Sequence, residues 1–544
     1  MSVIGIVIDV DSQFFTFKVF ENFDHKLSIG SFIYLKDSDG LILAKVIKIF
    51  RKNYLATEKL VAQVNIDDLE ALREYGIDIK SLAYVTFAKA IIIGKWCGRF
   101  ERTRKIPKIL DYVYYPEEKE LELMFKVKDE TTCLEIGYFR QYERLKVSVN
   151  ADKLVTHHCA ILAATGGGKS WLAGVLAEEL LVKVNIPIII IDPHSEYSSM
   201  QVMADKVGVE LNDYEKKLAE RIIDNVEIYI PGKVDTSTID NYFKRKFGID
   251  RRYCRFGISP TSLPTSIVMK LLDYYYGLTD TQRRILEEGW QYIYPIRSDE
   301  LVSIDEIIRE VINYGKCAAP KGYAGEMAVS SLATKLKLLL ESRPFFITRP
   351  GEYFGDEPLR LFDPRKVISK PGIKILDLGG LDIIDQQALV SVILDSIFNL
   401  AIKRQAPPLF IIIEEAHNFA PSKGDALSLP SIMRIAREGR KFGVGLCIIS
   451  QRPARIHPDI LSQCSTHFIK RIINPNDLKY VRDVVEHLSV EELSEVKLLN
   501  DDEVLITGLA VPVPILAKVR KRYTAHGGIT PTLTTQGSIP LEAK

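Results

Sequence analysis

The sequence predicts an α/β fold: a parallel-sheet core with a phosphate-binding loop, a small β-barrel in front of it and a helical bundle inserted into it. Three observations carry this. Residues 1–144 hold many short β-branched and aromatic segments between Asp, Asn and Gly turns. From 145 onward the segments become long apolar strands alternating with helices, the pattern of a sheet covered on both faces. AATGGGKS, Ala163–Ser170, follows one such strand and opens a helix.

The barrel strands are read at IGIVIDV (4–10), FFTFKVF (14–20), SFIYLKD (31–37) and LILAKVIKIF (41–50), with further candidates at 83–94, 120–127 and 133–139. A short helix is expected near 66–74, from Asp67, Leu69, Leu72 and Tyr75. No catalytic constellation occurs in this domain. The core then takes strands at 158–165, 186–192, 374–378, 409–415, 445–451, 466–472 and 503–509, with helices at 171–181 and 386–402. Residues 145–260 and 346–510 form its two parts. Between them, 261–345, four stretches with apolar residues at helical spacing predict a packed bundle. Residues 511–544 form a last strand and a polar tail with Pro and Gly.

Composition bounds the function. The 544 residues are 47% hydrophobic and 26% charged, with 33 Gly and 25 Pro, which excludes a disordered or collagenous chain. A net charge of +1 excludes a globally basic DNA coat but leaves room for a local basic channel. Seven scattered Cys, none in a CxxC pair, point to reduced thiols in the cytoplasm. No apolar run reaches the roughly 18 residues of a membrane span. A zinc spacing, a GxSxG elbow and a Cys/His nucleophile pattern are all missing from the sequence.

In the glycine-rich loop, backbone N–H groups of Ala164, Thr165, Gly166, Gly167, Gly168, Lys169, Ser170 and Trp171 are placed to curl around a nucleotide's phosphates. Lys169 would contact the β- and γ-phosphates and the Ser170 hydroxyl would bind Mg²⁺. Ala163 replaces the usual leading Gly. FIIIEEAH supplies the acidic half of such a site, with Glu414 assigned to the metal and Glu415 to activation of the attacking water. Strand alternation lets only one of them face the nucleotide without a local turn. Past the second strand, DPHSEY (192–197) leaves two readings: Asp192 and Glu196 support metal or water near His194, or Asp192 or Ser195 caps a helix. Gln451 either senses the γ-phosphate or simply ends its strand. On SIMRIAREGRKFG (431–443), Arg434, Arg437 and Lys441 share a face. In a ring, Arg440, or second Arg437, would serve as an arginine finger.

LAATGGGKSWLAG (162–174), IDPHSEYS (191–198), IIIEEAHNFAP (412–421), REGRKFGVGLCIISQRP (437–453) and PVPILAKVRKR (512–522), in this order, resemble the HerA family within the HerA/FtsK group of ATPase motors. The likeness covers essentially the whole chain. It implies a RecA-like P-loop core, ATP and Mg²⁺ as cofactors, and a homo-hexameric ring that threads double-stranded DNA without reading its sequence. It further implies work with the NurA nuclease, docked on the barrel, in processing broken DNA ends for recombination. Lys169 and Ser170 would then hold nucleotide and metal, Glu415 would be catalytic, Arg440 would be the finger in trans, and the C-terminal tail would brace a neighbouring subunit. An ATP-gated loading factor that does not translocate, or a conjugation-type motor, remains the alternative.

Overall fold

Nine neighbouring strands of the central sheet run parallel, in the order Arg360–Leu361, Cys254–Gly257, Val226–Pro231, Gly372–Asp377, Pro187–Asp192, Leu409–Ile413, Val444–Ser450, Cys159–Leu162 and Thr466–Ile469. The computed structural model describes residues 2–52, 84–125, 132–294, 301–485 and 488–527, apart from positions 24, 102, 104, 350 and 489. The expected helix near 66–74 lies outside the described residues.

The inner strands are runs such as PIIIID and LFIII because helices cover both faces, so no position needs to be polar. Their register brings Asp192, Asp377, Glu414 and Ser450 to one edge, the carboxyl ends where open α/β sheets bind ligands. The loop-bearing strand Cys159–Leu162 sits between Val444–Ser450 and Thr466–Ile469.

Beyond Thr466–Ile469 the sheet continues antiparallel through Glu503–Gly508, Ile515–Val519, Cys133–Phe139 and Tyr142–Asn150. This corrects one expectation: Cys133–Phe139, read as a barrel candidate, pairs with Ile515–Val519 and belongs to the large sheet. A second correction concerns ELELMF, which is an α-helix, Glu118–Phe125, not a strand. It buries Leu121, Met124 and Phe125, at i, i+3 and i+4, and leaves Leu123 exposed.

The barrel closes through six strands: Phe14–Val19, Ser2–Val10, Tyr112–Tyr115, Phe32–Asp37, Gly40–Lys52 and Val85–Trp96, the last pairing back to the first, with Phe100–Glu101 appended. Its interior is a separate cluster that includes Phe15, Phe17, Ile33, Leu35 and Val113. The bundle is Thr265–Tyr276, Asp280–Trp290, Ile304–Gly315 and Tyr323–Ser342, packed around Trp290, Leu286, Val311 and Leu336.

Among the described residues one helix, Ile383–Ile402, is long and apolar enough to cross a membrane, and 72% of that stretch is buried inside the fold. It is a core helix under the sheet. The C-terminal segment through residue 526 lies on its own chain. Arg520 bridges Glu178 and Glu179 at 3.1 and 2.9 Å, and Arg522 is buried over Gly174. The polar tail beyond 527, expected to brace a neighbour, lies outside the described residues.

Candidate nucleotide site

The phosphate loop leaves its strand at Leu162 and turns into the helix Lys169–Glu179 at Gly168. Gly166 and Gly168 take φ of 74° and 73°, a region that L side chains avoid. Gly168 is also required by space, since a Cβ there would lie 2.7 Å from the Asp501 carbonyl oxygen. Ala163 is tolerated where the general pattern has Gly because it stays out of the positive-φ region, buried in the strand's exit. The helix has no side-chain cap, so its first N–H groups remain available to an anion.

Four side chains from three neighbouring edges converge on this loop. Lys169 Nζ lies 3.7 Å from Glu415 Oε1. Glu415 takes a left-handed backbone conformation, φ 47° and ψ 46°, immediately after Leu409–Ile413. This is the local turn that strand alternation required for both glutamates to face the site, and it stores strain of about 1–3 kcal/mol. His417 Nδ1 sits 3.2 Å from Glu415 Oε2 and shares a hydrogen bond with Ser450 Oγ, 3.1 Å away. Oε2 is thereby buried with no hydrogen-bond partner. Burial opposes ionisation of Glu415, yet His417 and Lys169 more than offset it and hold the carboxyl below its usual range. An ionised carboxylate with a free buried oxygen suits a base that takes a proton from water.

Glu414 is different. It is 1% exposed, accepts a 2.6 Å hydrogen bond from the Tyr197 hydroxyl, and is pushed up to about 8, mainly by burial. Gln451 accepts a hydrogen bond from Thr165 in the phosphate loop, tying the end of Val444–Ser450 to the nucleotide position.

Asp192 caps no helix, since Ser198–Gln201 has no side-chain cap, and it holds instead the loop that follows its strand. Its Oδ1 accepts the backbone N–H of His194 and Glu196, and its Oδ2 that of Tyr197, at 2.9–3.2 Å. Burial and the adjacent Asp377 push its carboxyl up. Both oxygens are committed to shaping the loop, which delivers Glu196 to the site: Ser170 Oγ donates to Glu196 Oε2 at 2.5 Å. The carboxylate next to the Ser170 hydroxyl is therefore Glu196, one of the two that the sequence offers in DPHSEY, and not Asp192.

Among the described residues no three carboxylates, imidazoles or thiols enclose a cation by themselves. A divalent ion at Ser170 would take its remaining oxygens from the nucleotide, with Glu196 and Glu414 close by.

One further group escapes a motif search. Lys470 is buried at the end of Thr466–Ile469, and its Nζ donates to the Asp501 carbonyl oxygen at 2.7 Å behind Gly168. Burial pulls its ammonium down to about 8. The only sequence signal is a lysine directly after a buried strand. The Trp171 indole turns away from the site, donating to the Arg520 carbonyl oxygen at 3.0 Å and packing edge-on to His526. Its contribution to the loop is limited to the backbone.

The arginines lie elsewhere. Arg440 sits in the turn Gly439–Phe442, before the start of Val444–Ser450 and thus at the amino end of the sheet. One strand length, roughly 20 Å, separates it from its own phosphate loop. It is exposed and makes no ion pair with a described residue, whereas Arg437 is bound to Asp459 at 2.8 Å.

This fold and loop define a P-loop ATPase of the RecA-like kind. The sequence profile of the helicase HerA central domain matches residues 134–397. The chain is 27% identical over 530 residues to a probable helicase of Methanocaldococcus jannaschii, covering 92% of each chain. It is 26% identical over 525 residues to the DNA double-strand break repair helicase HerA of Pyrococcus furiosus, covering 95% of this chain and 92% of that one. The structure of VirB4 of Thermoanaerobacter pseudethanolicus aligns over 72% of this chain and 97% of its own, at 16% identity and a TM-score of 0.46.

Proposed function

We propose that this protein is an ATP-driven translocase or helicase on double-stranded DNA that works as a homo-hexameric ring in the repair of broken DNA ends. The observation that carries the reading is the division of the catalytic set between two ends of the sheet. Lys169, Ser170, Glu415 and Gln451 meet at the carboxyl edge, while Arg440, exposed and paired with no described residue, lies a strand length away at the amino edge. An arginine so placed cannot reach its own γ-phosphate but can serve the site of an adjacent copy, which makes hydrolysis a property of the ring.

Within one site, the loop N–H groups and Lys169 bind the phosphates, and Mg²⁺ would be held at Ser170 with Glu196 and Glu414. The metal supplies charge neutralisation between phosphate oxygens. Glu415 draws the proton from the attacking water, and Gln451 relays the state of the phosphate end to Thr165. The site sets no base-reading element against DNA, so contacts to the duplex are to its backbone. The barrel is the docking platform for a NurA-type nuclease, and the setting is cytoplasmic.

The test is ATP hydrolysis by the purified chain with and without linear duplex DNA, beside Lys169→Ala and Glu415→Gln. DNA stimulation that disappears in both variants is expected. Hydrolysis indifferent to DNA would favour a loading factor that does not translocate.

A further inference from the structure

The outer face of the barrel carries lysines that no described residue neutralises. On Phe14–Val19 and Val85–Trp96 the residues that alternate with the buried Phe15, Phe17, Ala88 and Ala90 point outward, and on Gly40–Lys52 the bulge between Val46 and Lys48 turns Lys48 and the positions alternating with it outward as well. They include Lys18, Lys89, Lys48 and Lys52. Lys48 and Lys89 are directly opposed in the strand register, with Thr16 beside Lys89 on the next strand. Like charges facing each other across a ladder destabilise a sheet.

Elsewhere in the same domain such charges are neutralised. Lys45 pairs with Glu492 at 3.0 Å, and Lys95 and Lys105 each pair with Asp37 at 2.8 Å. Lys18, Lys48, Lys52 and Lys89 have no ion pair with a described residue. The ammonium of Lys89 lies over Phe14 at 4.6 Å, and those of Lys48 and Lys52 lie over Phe50 at 5.8 Å. Phe50 stacks on Phe87 beneath them. Asp9, the acidic residue aligned with Thr16 at the end of this row, turns its carboxylate to the Val10 N–H. The rings hold the lysine stems upright and are themselves half-buried or buried, so the face offers charge in preference to flat surfaces for bases.

We infer that this face, centred on Lys48 and Lys89, binds the sugar–phosphate backbone of duplex DNA outside the ATPase core. Lys48 and Lys89 are set about 5 Å apart across strands and Lys48 and Lys52 about 13 Å apart along one, spacings a phosphate row can follow, and they read no sequence. The choice of duplex DNA over another polyanion rests on the function proposed above. A DNA contact on the barrel gives the ring a second hold on its track, independent of the nucleotide cycle.

The test uses the full chain without nucleotide and a fluorescein-labelled linear duplex, with anisotropy followed over a series of potassium chloride concentrations. Lys48→Glu with Lys89→Glu is compared with wild type and with Lys216→Glu and Lys217→Glu, two exposed lysines on the core helix Asp213–Ile223. The barrel pair is expected to bind about tenfold more weakly and to flatten the log–log salt slope by about 2, near 0.9 for each lost phosphate contact. The core pair should leave the slope in place. Lys48→Gln with Lys89→Gln, which removes charge without adding any, should flatten it equally and guards against misfolding of the reversed variant.

If wild type binds the duplex and both barrel variants bind it with the same affinity and slope, the inference is overturned while the translocase reading stands. If wild type does not bind duplex DNA, both fall. Retention of a polyglutamate peptide through Lys48 and Lys89, with duplex binding unaltered in the variants, would overturn it in favour of an acidic protein surface.

Discussion

Ser170 Oγ donates a 2.5 Å hydrogen bond to Glu196 Oε2, joining the first turn of the phosphate-loop helix to the loop after the second core strand. A serine that hands its proton to a carboxylate keeps a lone pair free for a metal, and the carboxylate adds charge beside it. Glu196→Gln preserves the acceptor and removes the charge. The expected outcome is ATP affinity near wild type without Mg²⁺ and a loss of about tenfold in the tightening that Mg²⁺ produces, since a hydrogen bond to a charged group contributes roughly 1.5–3 kcal/mol. Titration of a fluorescent ATP analogue with and without Mg²⁺ reads this directly. Asp192→Asn should behave otherwise, lowering thermal stability because its amide keeps one acceptor oxygen and turns an NH2 toward an N–H that Asp192 now satisfies.

The position of Arg440 makes a prediction about mixtures. Arg440→Ala should lower ATP hydrolysis by about 10³-fold and leave nucleotide binding intact. Lys169→Ala should be inactive through its own site while still presenting Arg440. Mixing the two inactive variants should restore measurable hydrolysis, because an intact site then meets an intact arginine across a subunit boundary. No recovery on mixing would place Arg440 outside the reaction. Arg437→Ala should matter less, its guanidinium being held by Asp459.

How much of this was legible depended on burial. Runs such as PIIIID, LFIII and VGLCIIS announced core strands because both faces are covered, and AATGGGKS announced the loop because only glycine fits its turns. ELELMF misled because Leu121 and Leu123 alternate like strand residues, although the helix buries Leu121 with Met124 and Phe125 instead. CLEIGYF reads as a strand in any sheet, and its true partner, Ile515–Val519, lies almost 400 residues further on, a pairing that no local pattern encodes. Val226–Pro231 and Cys254–Gly257 were not read as core strands, being short and interrupted by Glu227 and Arg255. In the site, Lys169, Glu415 and Gln451 came from motif position. Asp192 and Glu196 came from the same motif, but the choice between them did not, because it turns on which carboxylate the loop's own N–H groups consume.

Gly174 lies inside the phosphate-loop helix, where alanine is ordinarily better by about 1 kcal/mol. Here the sign should reverse. A Cβ at 174 would stand 2.4 Å from Arg522 Cζ, and Arg522 is fully buried, donating to Thr524 at 2.9 Å beside Glu178. Gly174→Ala must displace that guanidinium, an overpacking cost of roughly 1–3 kcal/mol. The expected result is a lower thermal midpoint and faster proteolytic cleavage of the C-terminal segment, since Arg522 and Arg520 are what seat it on the helix.

Acid sensitivity follows from three histidines that burial pulls down to about 4: His158, His467 and His526. The unfolded chain protonates each near 6.5. Between those values the unfolded state takes up protons that the folded state refuses, so stability is complete above about pH 6.5 and drains away as the pH falls toward 4. For His158 the reason is geometric. Its Nδ1 accepts the Leu446 N–H at 3.0 Å and its Nε2 hydrogen-bonds the Ala436 carbonyl oxygen at 3.1 Å, an arrangement only the neutral ring can make. Those two bonds pin the end of Leu429–Glu438 to the start of Val444–Ser450 and so frame the turn that carries Arg440. His158→Gln, which keeps a donor and an acceptor but cannot titrate, should therefore flatten the fall of the thermal midpoint between pH 6.5 and 4 relative to wild type. An unchanged slope would mean that His158 is already protonated in the folded protein and that the hydrogen bond from Leu446 is not made.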